Sequence, residues 1–203
     1  MNFYREVSHT RFSLALILIA GLIVVSLFLN GIVTSSDGYS SPLPSFGKGT
    51  KELRVYTDYF CRPCRSVEPE LDKAIRTFAS DSEYRVVFID VPMHAETVMY
   101  ARHYLTAVRA NQQLLSALNA RKLLFAAAND QIKIDTEIEK RFMQAGIKQI
   151  KYDVKDSFLA MQGMFRKDRI KMTPTIVIED KQGAKKFEGS WAVREAIKSL
   201  TKK

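Results

Sequence analysis

The two cysteines of the chain lie close together, in the stretch Cys61-Arg62-Pro63-Cys64. They are the only cysteines among 203 residues, so neither belongs to a wider framework of structural disulfides. A disulfide that closes so short a loop contributes little to stability through chain entropy. The pair is therefore predicted to do chemistry, and the chemistry that suits it is thiol–disulfide exchange through a reactive thiolate.

A cysteine pair could also bind a metal ion or belong to a binding protein. A zinc site needs four ligands, and the chain has no second cysteine pair to supply them. We interpret His94 and His103 as surface or hydrogen-bonded core histidines. Binding of one Cu(I) ion by the two thiolates stays open, as does a binding protein whose cysteines are not catalytic. We predict no resident metal and no organic cofactor, only the redox-active pair Cys61 and Cys64.

The cysteines are expected at the start of a helix. Residues 53–56 form a β-prone run, and apolar residues recur at helical spacing through residues 67–78. Cys61 would then lie where the partial positive charge of a helix start stabilises a thiolate, with the Arg62 cation beside it. We predict Cys61 as the nucleophile and Cys64 as the thiol that resolves the mixed disulfide.

The remaining segments predict an α/β fold. In chain order they are a buried strand at 84–91, a helical region at 97–128 with breaks near Asn111 and Asn119, helices at 136–145 and 154–169, a strand hairpin at 175–179 and 185–187, and a helix at 193–200. A parallel strand pair followed by an antiparallel hairpin, with helices covering both, gives a mixed sheet.

An apolar segment precedes this domain. Residues 12–33 carry no charged side chain and would form a helix of about 33 Å, long enough to cross the hydrocarbon core. Arg5 and Arg11 precede the segment and no Lys or Arg follows before Lys48, so the positive-inside rule places residues 1–11 in the cytoplasm. We predict a signal anchor over a cleaved signal peptide, whose apolar region is shorter. Either segment would export the domain that follows.

The segment that follows the anchor is rich in Ser, Gly and Pro. Residues 34–50 are predicted to be a linker between the membrane and a domain at 51–203. The net charge of +9 is spread along the chain, as suits a solvated surface close to anionic lipids. No basic run interleaved with aromatic residues is present, so nucleic acid is not predicted as a partner.

Two motifs carry a resemblance to a known family. Residues 55–64, VYTDYFCRPC, resemble the active-site stretch of the thioredoxin superfamily in its DsbA- and DsbC-like branches, and Pro69 matches the proline that kinks the superfamily's active-site helix. The sequence Met-Thr-Pro-Thr at 172–175 resembles the superfamily's cis-proline loop. The resemblance implies a thioredoxin fold, a cis bond before Pro174, and a substrate groove shaped by Thr173 and Pro174.

The resemblance also implies the domain organisation. The long interval between Cys64 and Pro174 exceeds what a bare thioredoxin needs and fits a helical domain inserted at about 95–170, as in DsbA-like proteins. A DsbC-like isomerase usually adds a dimerisation domain, for which residues 34–50 are too short.

Two positions depart from the superfamily pattern, and two aromatic side chains have a predicted location. Many relatives carry a buried carboxylate six residues before the first cysteine, where this chain has Val55; Asp58 lies nearer the turn and is expected to be solvated. Histidine is usual in DsbA-like oxidants at the position of Pro63, whereas proline there is similar to the less oxidising thioredoxin. Phe60 is expected on an apolar rim at an exposed turn, and Trp191 in the core or at the sheet edge.

The sequence thus predicts a membrane-anchored thiol–disulfide oxidoreductase that faces the periplasm. It would exchange disulfides with exported proteins, with oxidation favoured, and a membrane protein would restore its redox state. Reduction or isomerisation by the same fold stays open because of Pro63 and Thr173, and so does a holdase that grips exported chains.

Overall fold

The computed structural model describes residues 42–80 and 83–201 of the chain. The strands of this part are β1 (Ser45–Phe46), β2 (Lys51–Thr57), β3 (Tyr84–Asp90), β4 (Thr175–Asp180) and β5 (Gly183–Glu188). Its helices are α1 (Arg62–Ser80), α2 (Thr97–Ala110), α3 (Leu114–Asn129), α4 (Asp135–Gln144), α5 (Lys155–Lys167) and α6 (Gly189–Thr201).

The strands form one mixed sheet in the order β1-β3-β2-β4-β5. Strand β2 runs parallel to β3 and antiparallel to β4, and β4 continues into the antiparallel hairpin with β5. Val55 lies at the centre of the sheet, opposite Phe88 on one side and Ile176 on the other. The predicted α/β fold with a mixed sheet and flanking helices is confirmed.

Four helices, α2 to α5, lie between β3 and β4 in the chain, where the helical insertion was predicted. The break near Asn111 is present, and the Asn111 side chain accepts a hydrogen bond from the Gln113 N–H at 3.1 Å, a contact typical of a turn. The break near Asn119 is wrong. That residue lies inside α3, where the buried Ala and Leu side chains of the helix favour continuation over the weak helix propensity of one asparagine.

The predicted linker is also wrong for residues 42–50, which belong to the domain. Ser45 and Phe46 pair antiparallel with β3, and the side chains of Leu43 and Phe46 are buried. The Phe46 ring lies 5.9 Å from the Phe88 ring. Two isolated apolar residues have no periodicity, so the sequence pattern did not show that they cover the edge of a sheet. Residues 34–41 lie outside the described residues.

Gly47 allows the chain to turn from β1 toward β2. Its φ is +93°, and a Cβ there would lie 2.4 Å from the Tyr84 carbonyl oxygen. Both the conformation and the close approach to β3 therefore require glycine.

The predicted cytoplasmic segment at 1–11 and the predicted anchor at 12–33 lie outside the described residues. Among the helices that the structure does describe, none has the length and hydrophobicity needed to span a bilayer.

Candidate active site

Cys61 and Cys64 lie at the junction of β2 and α1. Strand β2 ends at Thr57 and α1 begins at Arg62, so Cys61 immediately precedes the helix and Cys64 lies in its first turn. Both are free thiols; Cys61 is half-buried and Cys64 is buried. Of the two cysteines, Cys61 is therefore the more accessible to solvent.

The two thiols differ in acidity. The pKa of Cys61 is lowered to about 6, first by a hydrogen bond with the Cys64 side chain and then, against the opposing effect of burial, by a contact with Thr173. Burial is the main cause that raises the pKa of Cys64 well above its ordinary value. At neutral pH Cys61 is therefore largely a thiolate, and Cys64 holds its proton. This asymmetry is what a nucleophile and a resolving thiol need.

A loop from the far end of the chain lies against the pair. The Thr173–Pro174 peptide bond is cis, as the resemblance implied. The Cys61 sulfur lies 3.4 Å from the Thr173 carbonyl oxygen, and the Pro174 carbonyl accepts a hydrogen bond from the Gly189 N–H at 2.8 Å. The sheet thus brings together two segments that are more than 100 residues apart in the sequence, with Cys61 and Thr173 in contact.

Arg62 and Pro63, the predicted neighbours of the pair, occupy the first two positions of α1 and are exposed. Proline suits this position because the first residues of a helix need no N–H donor. The next arginine, Arg65, donates from Nη1 to the Phe60 carbonyl oxygen at 3.0 Å and so braces the turn. The effect of Arg62 on the Cys61 thiolate stays a prediction.

The family model described as Thioredoxin matches residues 48–198. This range holds β2, both cysteines, the helical insertion and the cis-proline loop. The chain belongs to the thioredoxin family. The resemblance that the two motifs indicated is therefore confirmed.

Solved structures share this thioredoxin fold. A periplasmic thioredoxin-like protein from Salmonella enterica serovar Typhimurium is 22% identical, with 80% of this chain and 92% of that chain covered and a TM-score of 0.59. For Pseudomonas aeruginosa DsbA2 the identity is 21%, the shares are 78% and 94%, and the TM-score is 0.53. The catalytic domain of Proteus mirabilis ScsC is 19% identical, with 81% of this chain and 93% of that chain covered and a TM-score of 0.59. Identities this low show a common fold. No curated protein matches the chain.

The predicted environment of Asp58 is wrong. Its side chain is fully buried, and it accepts hydrogen bonds from the backbone N–H groups of Phe60, at 2.7 Å, and Cys61, at 3.2 Å. The reason is long-range: the loop after β3 folds over the turn and shields Asp58 from water. Its negative charge is one of the influences that raise the pKa of Cys61.

The position of the superfamily's buried carboxylate is indeed filled by an apolar side chain, the fully buried Val55. The buried charged side chains near the active site come from other helices and strands instead. Arg121 of α3 donates to both Glu68 carboxylate oxygens, at 3.2 and 3.0 Å, and its Nη1 lies 3.8 Å from Asp90 Oδ1. The Tyr59 hydroxyl donates to Asp90 Oδ2 at 3.2 Å.

None of these four side chains was singled out from the sequence. The available signals were an arginine within the Ala- and Leu-rich helix α3 and an aspartate that ends the apolar strand β3. Burial raises the pKa of Asp90 to about 7, against the opposing effect of Arg121. Burial likewise raises the pKa of Glu68.

The apolar surface near the cysteines also differs from the prediction. Phe60 is buried, with its ring 5.0 Å from the Tyr100 ring, so its assignment to an exposed rim is wrong. Trp191 was expected in the core or at the sheet edge but is 77% exposed, and it lies two residues after Gly189, which binds Pro174. Met172 is also exposed, and its sulfur packs beside Gly189.

The two histidines have different environments. His103 is a satisfied core histidine: its Nε2 lies 2.8 Å from Asp135 Oδ1, its Nδ1 lies 2.9 Å from the Gln149 amide nitrogen, and burial lowers its pKa. His94 is 46% exposed and contacts Asp58. In the part of the chain that is described, no three His, Cys, Asp or Glu side chains come together as ligands for a metal ion. The prediction that no metal or cofactor is needed stays a prediction.

Proposed function

We propose that the chain is a thiol–disulfide oxidoreductase that exchanges disulfides with other proteins through Cys61 and Cys64. The observation that carries the proposal is the accessible Cys61 sulfur, with a pKa of about 6, beside the buried Cys64 thiol and in contact with Thr173 of the cis-proline loop. A structural disulfide would need neither an acidic nor an accessible sulfur.

The exchange balances as two successive displacements. A substrate thiolate attacks the sulfur of Cys61 in the disulfide form; the bond to Cys64 breaks, and the Cys64 sulfur leaves with the electron pair and takes up a proton. A second substrate thiolate then attacks the substrate sulfur of this mixed disulfide, and Cys61 leaves as the thiolate. Two electrons pass from the substrate to the pair, and a substrate disulfide forms. Reduction of a substrate is the reverse sequence.

The acidity of Cys61 favours oxidation as the direction. A stabilised thiolate stabilises the reduced pair and so makes the disulfide a stronger oxidant. The lowered pKa of Cys61 is therefore the basis on which we propose oxidation as the direction of exchange.

The proposed substrates are unfolded exported proteins. Exposed apolar side chains next to the cis-proline loop, Met172 and Trp191, suit the apolar segments of such chains. The charge asymmetry around residues 12–33 supports an anchored domain outside the cytoplasm. A redox partner in the same membrane would then accept the two electrons from the pair.

Trapping of substrates tests this proposal. In the full-length Cys64→Ser variant, mixed disulfides with exported proteins should accumulate on Cys61 and disappear on reduction. The Cys61→Ser variant should trap none. If partners bind the Cys64→Ser variant without a disulfide, the chain is a binding protein and the proposal is wrong.

The reduction potential of the pair tests the direction. It is measured by equilibration of the full-length protein with glutathione. A value well above about −270 mV, the potential of thioredoxin, supports oxidation. A value at or below it would replace oxidation by reduction or isomerisation.

A further inference from the structure

The carboxylate of Asp58 is a junction between two segments of the fold. Its Oδ1 accepts the two backbone N–H groups of the active-site turn. Its Oδ2 accepts the backbone N–H groups of Met93, at 2.9 Å, and His94, at 3.0 Å, and the Thr97 hydroxyl, at 2.8 Å. All five groups are hydrogen-bond donors. An ionised carboxylate only accepts hydrogen bonds, so five donors indicate that Asp58 is bound as an anion.

This anion lies directly beneath the reactive cysteine. The N–H of Cys61 is one of its donors, and the negative charge works against the Cys61 thiolate. Because the site excludes water from Asp58, its charge is poorly screened. Whatever compensates Asp58 therefore also stabilises the Cys61 thiolate.

His94 is the side chain whose position allows it to offset the negative charge of Asp58. Its Nδ1 lies 3.1 Å from Asp58 Oδ1, the same oxygen that binds the Cys61 N–H. The imidazole is 46% exposed, so it exchanges protons with solvent, whereas Asp58 is enclosed. Histidine is the side chain whose charge ordinarily changes between about pH 5 and about pH 8.

The other groups that face His94 leave this pairing intact. The Phe60 ring packs 6.1 Å from the His94 ring. Glu96, on the same loop, is paired with Lys133 of the α3–α4 loop at 2.6 Å, and the Lys133 ammonium lies 5.9 Å from the centre of the Phe60 ring. The hydrogen bond with Lys133 is the main cause that lowers the pKa of Glu96, and the charge of His94 is a smaller one, so Asp58 is the anion that contacts the imidazole directly.

We propose that His94 is a positioning residue whose protonated ring offsets the charge of Asp58 and thereby holds Cys61 as a thiolate in mildly acidic solution. When His94 is neutral, the hydrogen bonds to Asp58 remain but no positive charge offsets its effect on Cys61. The inference rests on the proposed function and concerns the regulation of that same site. It links the reactivity of the pair to the pH outside the cytoplasm.

The test compares wild-type protein with His94→Asn, both full length and reduced. Asparagine keeps a donor at the reach of Nδ1 but cannot become charged. We compare the ratio of thiolate to thiol at Cys61 in the two proteins. At about pH 5.5 this ratio should be about three- to tenfold higher in wild type than in His94→Asn, and near pH 8 the two proteins should have the same ratio. Thiolate is measured by its ultraviolet absorbance. The equilibrium constant for reduction of the pair by glutathione should shift in the same direction by a smaller factor, because only the thiolate fraction of the reduced pair is stabilised.

Two further variants sharpen the test. His94→Lys carries a positive charge at both pH values. Near pH 8 both variants are largely thiolate, and the equilibrium constant for reduction of the pair by glutathione should still be larger in His94→Lys than in His94→Asn. Arg102→Gln removes an exposed cation that pairs with Asp135 and should reproduce the wild-type titration. Because His94 is half exposed, these variants are expected to fold, and thermal unfolding checks this.

The outcomes separate this inference from the function on which it rests. If His94→Asn and wild type titrate alike, or differ by the same factor at both pH values, His94 does not act through its charge and the inference is wrong. If the wild-type pair does not exchange with glutathione at all, the proposed function fails instead. The thiolate titration needs no substrate, so it gives a result in either case.

Discussion

Two arginines are buried on opposite faces of strand β2, and they are held in different ways. The first is Arg54, on the face that α5 covers. Its guanidinium donates to three carboxylates, those of Asp168, Glu52 and Glu179. Two of these carboxylates, Glu52 and Glu179, also reach solvent. If the arginine is removed, Glu52 and Glu179 can therefore be hydrated, whereas Asp168 is only 6% exposed and keeps the Tyr56 hydroxyl as a donor.

The second is Arg121, which reaches from α3 to the other face. Its Nη2 donates to the Thr57 hydroxyl at 3.1 Å and to Glu68. Its Nη1 and the Asp90 Oδ1 that faces it make no hydrogen bond within the described residues, although they lie 3.8 Å apart. One guanidinium thus faces two carboxylates, and the cluster is largely buried but incompletely hydrogen-bonded.

The two clusters differ in how well the cost of burying their charges is offset. Burial of charge costs several kcal/mol per ion, which good geometry and solvent-exposed partners offset at Arg54. At Arg121 the cost is less well offset, and Asp90 responds with a raised pKa. Because Arg121 and Asp90 hold Thr57 and Tyr59, the residues on either side of Asp58, the less satisfied cluster lies under the active-site turn.

The largest effect is expected from Arg121→Met. It leaves Glu68 and Asp90 without a counter-ion in a dry site, so the free energy of unfolding should fall by about 3–5 kcal/mol. Urea denaturation measures it. The control is Lys122→Met, an exposed neighbour on the same helix, which should change stability by less than about 0.5 kcal/mol. Equal stability of Arg121→Met and wild type would show that the cluster contributes nothing.

A smaller effect is expected from Arg54→Met. Glu179 keeps Lys167, Glu52 keeps Arg85, and the buried Asp168 keeps the Tyr56 hydroxyl as a donor. The free energy of unfolding should therefore fall by about 2 kcal/mol. The reduction potential of the cysteine pair should not change, because the cluster lies on the other face of β2. A shifted potential in this variant would contradict the separation of the two clusters.

Asp90→Asn tests the titration of the active-site cluster. The pKa of Asp90 is about 7 in the folded chain, above its ordinary value of about 4, so the folded state binds the extra proton and ionisation of Asp90 lowers stability as the pH rises from about 4 to about 7. The loss is at most about 1.4 kcal/mol per pH unit and stops above about pH 7. Denaturation across this range should show a slope in wild type that Asp90→Asn lacks. Parallel pH profiles would mean that Asp90 is ionised throughout.

The smallest effect on stability is expected outside both clusters, at Trp191. Its side chain is 77% exposed, so Trp191→Ala should change the free energy of unfolding by less than about 0.5 kcal/mol. Exchange with an unfolded protein should slow, while exchange with glutathione should not. If both reactions slow equally, Trp191 acts on the cysteine pair and not on the substrate chain.

The parts of the site that were predicted are those that neighbouring residues encode. A helix start after a β-prone run predicts where Cys61 lies, and the motif at 172–175 implied the cis bond that is present. The environments of Asp58, Phe60 and Trp191 were predicted wrongly. Burial of a short segment depends on which distant element covers it, and no periodicity within four or five residues reports that.

The sequence by itself determined the order of strands and helices from β2 onward, the spacing of the two cysteines and the family of the fold, because each depends on local propensity, on hydrophobic periodicity or on a contiguous motif. Only the tertiary structure decided which charges are buried around the pair. Arg121, Glu68 and Asp90 come from α3, α1 and β3, and Asp58 meets His94 because the loop after β3 closes over the turn. Electrostatic effects depend on distance and on exclusion of water, which packing sets.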